Sequence, residues 1–215
     1  MTSIEQIRQL IDQEIFDYTQ LMMALKEYRK PRDVVSDLLR KSQIIRIRKG
    51  LYIFGPLWRR NNVSLETLAN LVYWPSVISL DYALSWYGLI PEHVETITSI
   101  TTGRSRAFNT PAGRFSYLQL SLGRYASGIT IRGSSPMNWL VVEPLKALAD
   151  KVWSDKRFQP SSSTVFAGYL FSDLRIDEDS LEKLYRQSQW QLIEKVYSSR
   201  KISFMFKYLY KRFGG

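Results

Sequence analysis

The chain has 215 residues, 45% of them hydrophobic, and carries 30 Lys plus Arg against 20 Asp plus Glu, a net charge of +10. That length can bury one large core or two small ones, and the charge favours polyanionic partners, nucleic acid first, while saying nothing about fold. Cysteine is absent, which excludes disulfides, thiolate-zinc sites and thiol catalysis.

Met1 to Leu10 alternates charged with apolar residues and lacks the apolar core of a signal peptide. No window nears the roughly 18 uninterrupted apolar residues of a membrane span. The expectation is a soluble cytoplasmic protein with no membrane partner.

Ser3 is placed to cap a first helix running from about Ile4 to Ile15, with Ile4, Ile7, Leu10, Ile11 and Ile15 at helical spacing. Thr19 is the cap candidate for a short second helix, Gln20 to Glu27. Pro31 suits the first turn of a third helix ending near Lys41, whose buried face is Val35, Leu38 and Leu39. Arg32, Ser36 and Arg40 follow at i, i+4, i+8 on another face. Two β-rich runs, Ile44 to Arg48 and Leu51 to Phe54, flank Lys49-Gly50 and read as a hairpin with Gly50 at the turn. Period-2 alternation sends Ile45 and Ile47 one way and Arg46 and Arg48 the other. Three helices followed by a basic hairpin within about 50 residues is the order of a winged helix-turn-helix.

Gly55 to Asn62 reads as a connector. Beyond it, Ser64 caps a helix from Leu65 to about Val72, and Ser79 caps Leu80 to Tyr87, with Gly88 just past its end. Short strand-like runs follow at Ile97 to Thr101, Arg114 to Leu120, Gly128 to Arg132 and Trp139 to Val142. A helix from Glu143 to Trp153 starts with Pro144. Thr164 to Phe213 is helical with breaks near Leu174 to Asp177 and near Ser198-Ser199. The fold class expected is therefore α+β, a winged helix-turn-helix over residues 1–60 followed by a mixed α/β domain over 61–215. Its strands lie at about 96–142 and its helices at about 143–213.

Between Lys26 and Arg60 there are 11 basic residues and only three acids, Glu27, Asp33 and Asp37. Lys30, Arg40, Lys41, Arg46, Arg48 and Lys49 are placed for phosphate contacts, which supply affinity and salt dependence. Arg32 and Ser36, early on the exposed face of the third helix, are the candidates for base edges in the major groove, where Arg prefers guanine. Asp37 stands one turn before Lys41, the spacing of an i,i+4 pair, and Asp33 complements the helix dipole. The partner these residues predict is double-stranded DNA.

The sequence offers no catalytic or metal constellation and calls for no cofactor. His93 is alone and follows Ile90-Pro91-Glu92, a turn setting. Gly123 and Gly128 have Walker-A spacing, but Ile129-Thr130 stands where Lys-Ser/Thr is needed. The acids at Asp173, Asp177, Glu178 and Asp179 read as caps and dipole partners of the helix containing Leu181, Leu184 and Tyr185. The basic helix at Arg200 to Phe213 packs an apolar face, Ile202, Phe206, Leu209 and Phe213, onto its own domain in the default reading. A second contact with nucleic acid or an acidic protein is the alternative.

Seven stretches, in order, give a resemblance. They are Tyr28-Arg-Lys-Pro-Arg-Asp-Val-Val-Ser-Asp-Leu-Leu39, Ile44-Ile-Arg-Ile-Arg-Lys-Gly-Leu-Tyr52, Leu68-Ala-Asn70, Pro75-Ser-Val-Ile-Ser-Leu-Asp-Tyr-Ala-Leu84, Tyr87-Gly-Leu-Ile-Pro-Glu92, Ile97-Thr-Ser-Ile-Thr-Thr102 and Lys146-Ala-Leu-Ala-Asp150. Together they resemble the AbiEi family of antitoxins from abortive-infection (type IV) toxin–antitoxin systems. The resemblance implies a non-enzymatic, two-domain repressor–antitoxin. Its winged helix would bind inverted repeats at the operon's own promoter, and its C-terminal domain would counter a cognate nucleotidyltransferase-like toxin. The likeness is weak after Pro160, so no toxin-contact residue is carried over. The competing readings are a regulator whose second domain senses a small ligand, with the aromatic stretch Tyr73 to Tyr87 as pocket rather than core, and a small nuclease or kinase.

Overall fold

The computed structural model describes residues 3–135 and 137–214 and has a mixed α/β architecture, with eleven α-helices and two sheets among the described residues. Helix α1 (Ser3–Leu10) buries Ile4 and Ile7 but stops well short of Ile15. The cause is Arg8. Its guanidinium reaches forward onto the carbonyls of Ile11 (3.2 Å), Asp12 (3.1 Å) and Gln13 (3.3 Å), the groups a continuing helix would have bonded itself. Ile15 instead opens strand β1 (Ile15–Asp17).

Helix α2 (Tyr18–Ala24) is capped by Asp17 and not by Thr19. Asp17 Oδ1 accepts from Gln20 N at 2.8 Å and Gln20 Oε1 accepts from Asp17 N at 2.9 Å, a reciprocal capping box. Helix α3 (Pro31–Arg40) begins at Pro31 and buries Val35 and Leu38. Strands β2 (Ile44–Arg48) and β3 (Leu51–Phe54) form the expected hairpin, and β1 pairs with the other edge of β3 to give the order β1-β3-β2. Gly50 holds a φ of +85°, where a Cβ would be strained.

A single 3-10 turn (Pro56–Trp58) leads to α4 (Leu65–Val72), where Thr67 N donates to Ser64 Oγ at 3.1 Å as the capping signal predicts. Strand β4 (Ser76–Ile78), α5 (Leu80–Trp86), β5 (Ile97–Thr101), β6 (Arg106–Thr110), β7 (Gly113–Gln119), α6 (Leu122–Ala126), β8 (Ile129–Arg132) and β9 (Trp139–Val142) follow. They build one six-stranded mixed sheet, order β6-β7-β5-β4-β9-β8, in which β5/β7 and β4/β9 are parallel and the other pairs antiparallel. The chain closes with α7 (Pro144–Ser154), α8 (Ser163–Gly168) running into a π-helical turn (Tyr169–Asp173), α9 (Glu178–Gln187), α10 (Trp190–Tyr197) and α11 (Arg200–Phe213). Asp177 caps α9 through Ser180 N (2.9 Å), and α11 buries Ile202, Phe206, Leu209 and Phe213, so that face packs onto its own fold.

Apolar side chains collect into two clusters, a smaller one built on α1–α3 and a larger one around the six-stranded sheet. Strand β3 serves both. Tyr52 and Phe54 point into the smaller cluster, while Leu51 and Ile53 point into the larger, with Ile47 of β2 beside them. The short sheet is thus a wall shared by two cores, and residues 55–62 connect elements that already touch. No helix among the described residues is long and apolar enough to cross a membrane.

Candidate nucleic-acid interface

Helix α3 and the β2–β3 hairpin bring the basic residues of the first segment to the surface. Lys30 occupies the N-cap position of α3, and Lys30, Arg32, Arg46 and Lys49 are all exposed. None of these four makes an ion pair among the described residues. Ser36 is exposed on the same helix, and its hydroxyl donates to the Arg32 carbonyl at 3.1 Å, which leaves its oxygen as an acceptor.

Arg40 and Lys41 are different. Both reach Asp37, Lys41 Nζ at 2.6 Å and the Arg40 guanidinium through an ion pair one turn back. The hydrogen bonds from Lys41 and then Arg40 hold the Asp37 carboxyl below its ordinary range. The i,i+4 reading of Asp37 and Lys41 is therefore observed, and those two cations carry a built-in counter-ion that the other four lack.

Arg48 departs from the period-2 expectation. The pairing shifts between Arg46, opposite Tyr52, and Arg48, opposite Leu51, a bulge that breaks the alternation. Arg48 shares the side of Leu51 and donates to the Val72 carbonyl at the end of α4, apart from Arg46. Gly50 sits at the turn with its carbonyl accepting from Tyr18 N at 3.0 Å, so the hairpin tip is tied to the start of α2.

Several polar residues of the motif-bearing stretches beyond residue 60, Asn70, Ser76, Ser79, Ser99, Thr101, Lys146 and Asp150, lie in the interior. Lys146 and Asp150, one turn apart on α7, are fully buried, with Nζ 2.6 Å from both carboxylate oxygens. The Asp150 carboxylate also accepts from Ser79 Oγ at 2.6 Å and from the Tyr197 hydroxyl. Burial pushes the Lys146 ammonium below its ordinary pKa against the opposing pull of Asp150, and burial with the adjacent carboxylate raises the Tyr197 phenol. Ser79 does stand at the N-cap of α5, but its hydroxyl is spent on Asp150 and gives no cap bond, a correction to its expected role. Asn70 of α4 accepts from Leu140 N at 2.6 Å and donates to the Ser76 carbonyl at 3.2 Å, stitching helix to sheet. These groups hold the α/β layer together, and with zero exposure no ligand reaches Lys146 or Asp150.

His93 is exposed in the loop after Pro91, and Glu92 beside it pairs with Arg175. Among the described residues no three His, Cys, Asp or Glu side chains come together to hold a metal ion. Tyr73, Tyr82 and Tyr87 pack against the larger core, whereas Trp74 and Trp86 are exposed.

No family model matches the chain. No curated protein matches it either. Among solved structures, the chain is similar to the RV2827C protein from Mycobacterium tuberculosis, with a TM-score of 0.65 and 14% sequence identity over 97% of this chain and 78% of that one. The likeness spans nearly all of the chain and, at that identity, speaks to fold alone.

Proposed function

We propose that this protein is a DNA-binding antitoxin of the AbiEi type that represses its own operon. In this reading residues 1–60 are a winged helix-turn-helix, with α2 and α3 as the helix pair and β2–β3 as the wing. The observation that carries it is the set of exposed cations on α3 and the hairpin, Lys30, Arg32, Arg46 and Lys49, that make no ion pair among the described residues. A phosphate backbone supplies what the protein withholds. Arg32 and Ser36 read bases, Arg bidentate to guanine and Ser36 as an acceptor, while Lys30, Arg46 and Lys49 take phosphates. Arg40 and Lys41 join them by exchanging Asp37 for phosphate.

Residues 61–215 form the α/β antitoxin domain in this proposal and counter a nucleotidyltransferase-like toxin encoded alongside. That assignment rests on the motif resemblance. The test is co-expression in one cell of the full chain, the neighbouring gene and a reporter under their shared promoter. The full chain is expected to restore growth and silence the reporter, and Arg32→Ala with Lys49→Ala to restore growth without silencing. Failure of the full chain and of residues 61–215 alike to restore growth removes the antitoxin assignment, even where repression survives.

A further inference from the structure

The twenty acids of this chain are unevenly placed. Between Glu95 and Glu143 there is none, while five arginines, Arg104, Arg106, Arg114, Arg124 and Arg132, fall in that stretch. Arg124 is absorbed by the fold, donating to the Tyr197 carbonyl at 2.6 Å and stacking 4.7 Å from the Trp153 ring. The other four are exposed and make no ion pair among the described residues.

Two of them, Arg104 and Arg106, belong to the stretch packed on Tyr73, whose neighbour Val72 is bonded by Arg48 of the hairpin. Arg106 opens the edge strand β6, and its guanidinium sits 5.8 Å from the centroid of the Tyr73 ring. Tyr73 in turn packs against Tyr117 (5.2 Å) and Phe108 (5.7 Å). Arg48 of the hairpin reaches the same cluster from the other side. It donates to the carbonyl of Val72, the residue before Tyr73. The loop bearing Arg104 is seated on this cluster too, since a Cβ at Gly103 would lie 2.6 Å from the Tyr73 hydroxyl. Two guanidinium-bearing segments, the hairpin with Arg48 and the acid-free stretch with Arg104 and Arg106, therefore meet around one aromatic cluster. Like charges held together without an internal counter-ion set up a positive potential that attracts an external polyanion. Arginine suits that task, because its planar fork stacks on aromatic rings while donating bidentately to phosphate.

We propose that the DNA surface does not end at the hairpin but continues across Tyr73 onto β6, where Arg104 and Arg106 take phosphates of the duplex flanking the site. This inference rests on the DNA-binding reading of α3 and the hairpin. The surface lies in the second unit, so repressor and antitoxin portions touch the same nucleic acid.

Fluorescence anisotropy with a duplex from the region upstream of the coding sequence, titrated with salt, tests it on the full chain. Arg104→Ala/Arg106→Ala is expected to weaken binding by roughly tenfold and to flatten the salt slope by about 0.9 for each phosphate no longer neutralised. Arg104→Lys/Arg106→Lys should restore most of the slope, and Arg114→Ala should change neither quantity, since Arg114 pairs with Asn109 on the opposite face of β6–β7. Wild-type affinity and slope in the double alanine variant, with Arg32→Ala/Lys49→Ala weakened, overturns the extension and leaves the primary site standing. Unchanged DNA binding combined with failed toxin rescue assigns the same arginines to an acidic protein partner and also overturns it. If the unaltered protein binds no duplex at low salt, the underlying DNA reading falls first and the extension falls with it.

Discussion

Cations are used in opposite ways in the two parts of this molecule. On α3 and the hairpin, Lys30, Arg32, Arg46 and Lys49 stand in solvent with no ion pair among the described residues, whereas on α7 the Lys146 ammonium is sealed in the core against Asp150, whose carboxylate also accepts from Ser79 and Tyr197. The difference is one of environment rather than residue type. An exposed cation costs the fold almost nothing and is available to a polyanion. A buried one must have its partner present at all times and is available to nothing. Motif residues thus divide into those that keep the fold and those that face outward.

The comparison is broken most severely at Asp150. Asp150→Ala leaves Lys146 charged and unpaired in the core, and we expect a loss of about 3–5 kcal/mol in urea unfolding. Lys146→Met/Asp150→Leu, which removes both charges at similar volume, should recover only part of it, because the Ser79 and Tyr197 hydroxyls lose their acceptor. A loss below about 1 kcal/mol for Asp150→Ala would show that the pair does not bind the layers together.

Glu14 is the corresponding test in the smaller core. Its Oε1 accepts from Arg8 (2.8 Å) and from the backbone N–H groups of Arg60 (3.1 Å) and Asn61 (3.0 Å), fastening the connector to α1. Glu14→Gln keeps the shape and one acceptor but loses the charge, so a cost of about 1.5–3 kcal/mol is expected by the same measurement. No measurable change would mean that the connector is held by apolar contacts alone.

Asp37 sharpens the contrast with the smallest stability effect. Its pairs with Arg40 and Lys41 are exposed, so Asp37→Asn should shift stability by less than about 0.5 kcal/mol. The same change releases two cations, and duplex affinity should rise with a steeper salt dependence. A stability change without an affinity change would place these residues in the fold rather than at the interface.

Much of this was legible from the sequence. Pro31, Ser64, Pro144 and Asp177 mark helix starts that the structure reproduces, and the Lys49-Gly50 hairpin lies where turn chemistry puts it. What escaped was set by contacts distant in sequence or by elements too short to carry a period. Strand β4 has three residues between Pro75 and Ser79, too few for alternation to register, and β6 is an edge strand with mostly exposed side chains. The early end of α1 depends on where Arg8 aims, and the diversion of Ser79 from its cap depends on Asp150, 71 residues away. The bulge that parts Arg48 from Arg46 follows from packing two cores on one strand pair, which no local pattern encodes. Of the candidate interface residues, the exposure of Arg32, Ser36, Arg46 and Lys49 followed from face periodicity, while the neutralisation of Arg40 and the diversion of Arg48 did not.

The most direct test of the central claim is the salt-titrated affinity of the full chain and of Arg32→Ala and Lys49→Ala for the duplex upstream of its own coding sequence. Arg32→Ala should cost about 1–3 kcal/mol on that sequence and far less on a random duplex, as for a base-reading side chain. Lys49→Ala should weaken both duplexes alike and flatten the salt slope by about 0.9, as for a side chain on phosphate. Both variants binding both duplexes as the unaltered protein does would contradict the assignment of α3 and the hairpin to DNA.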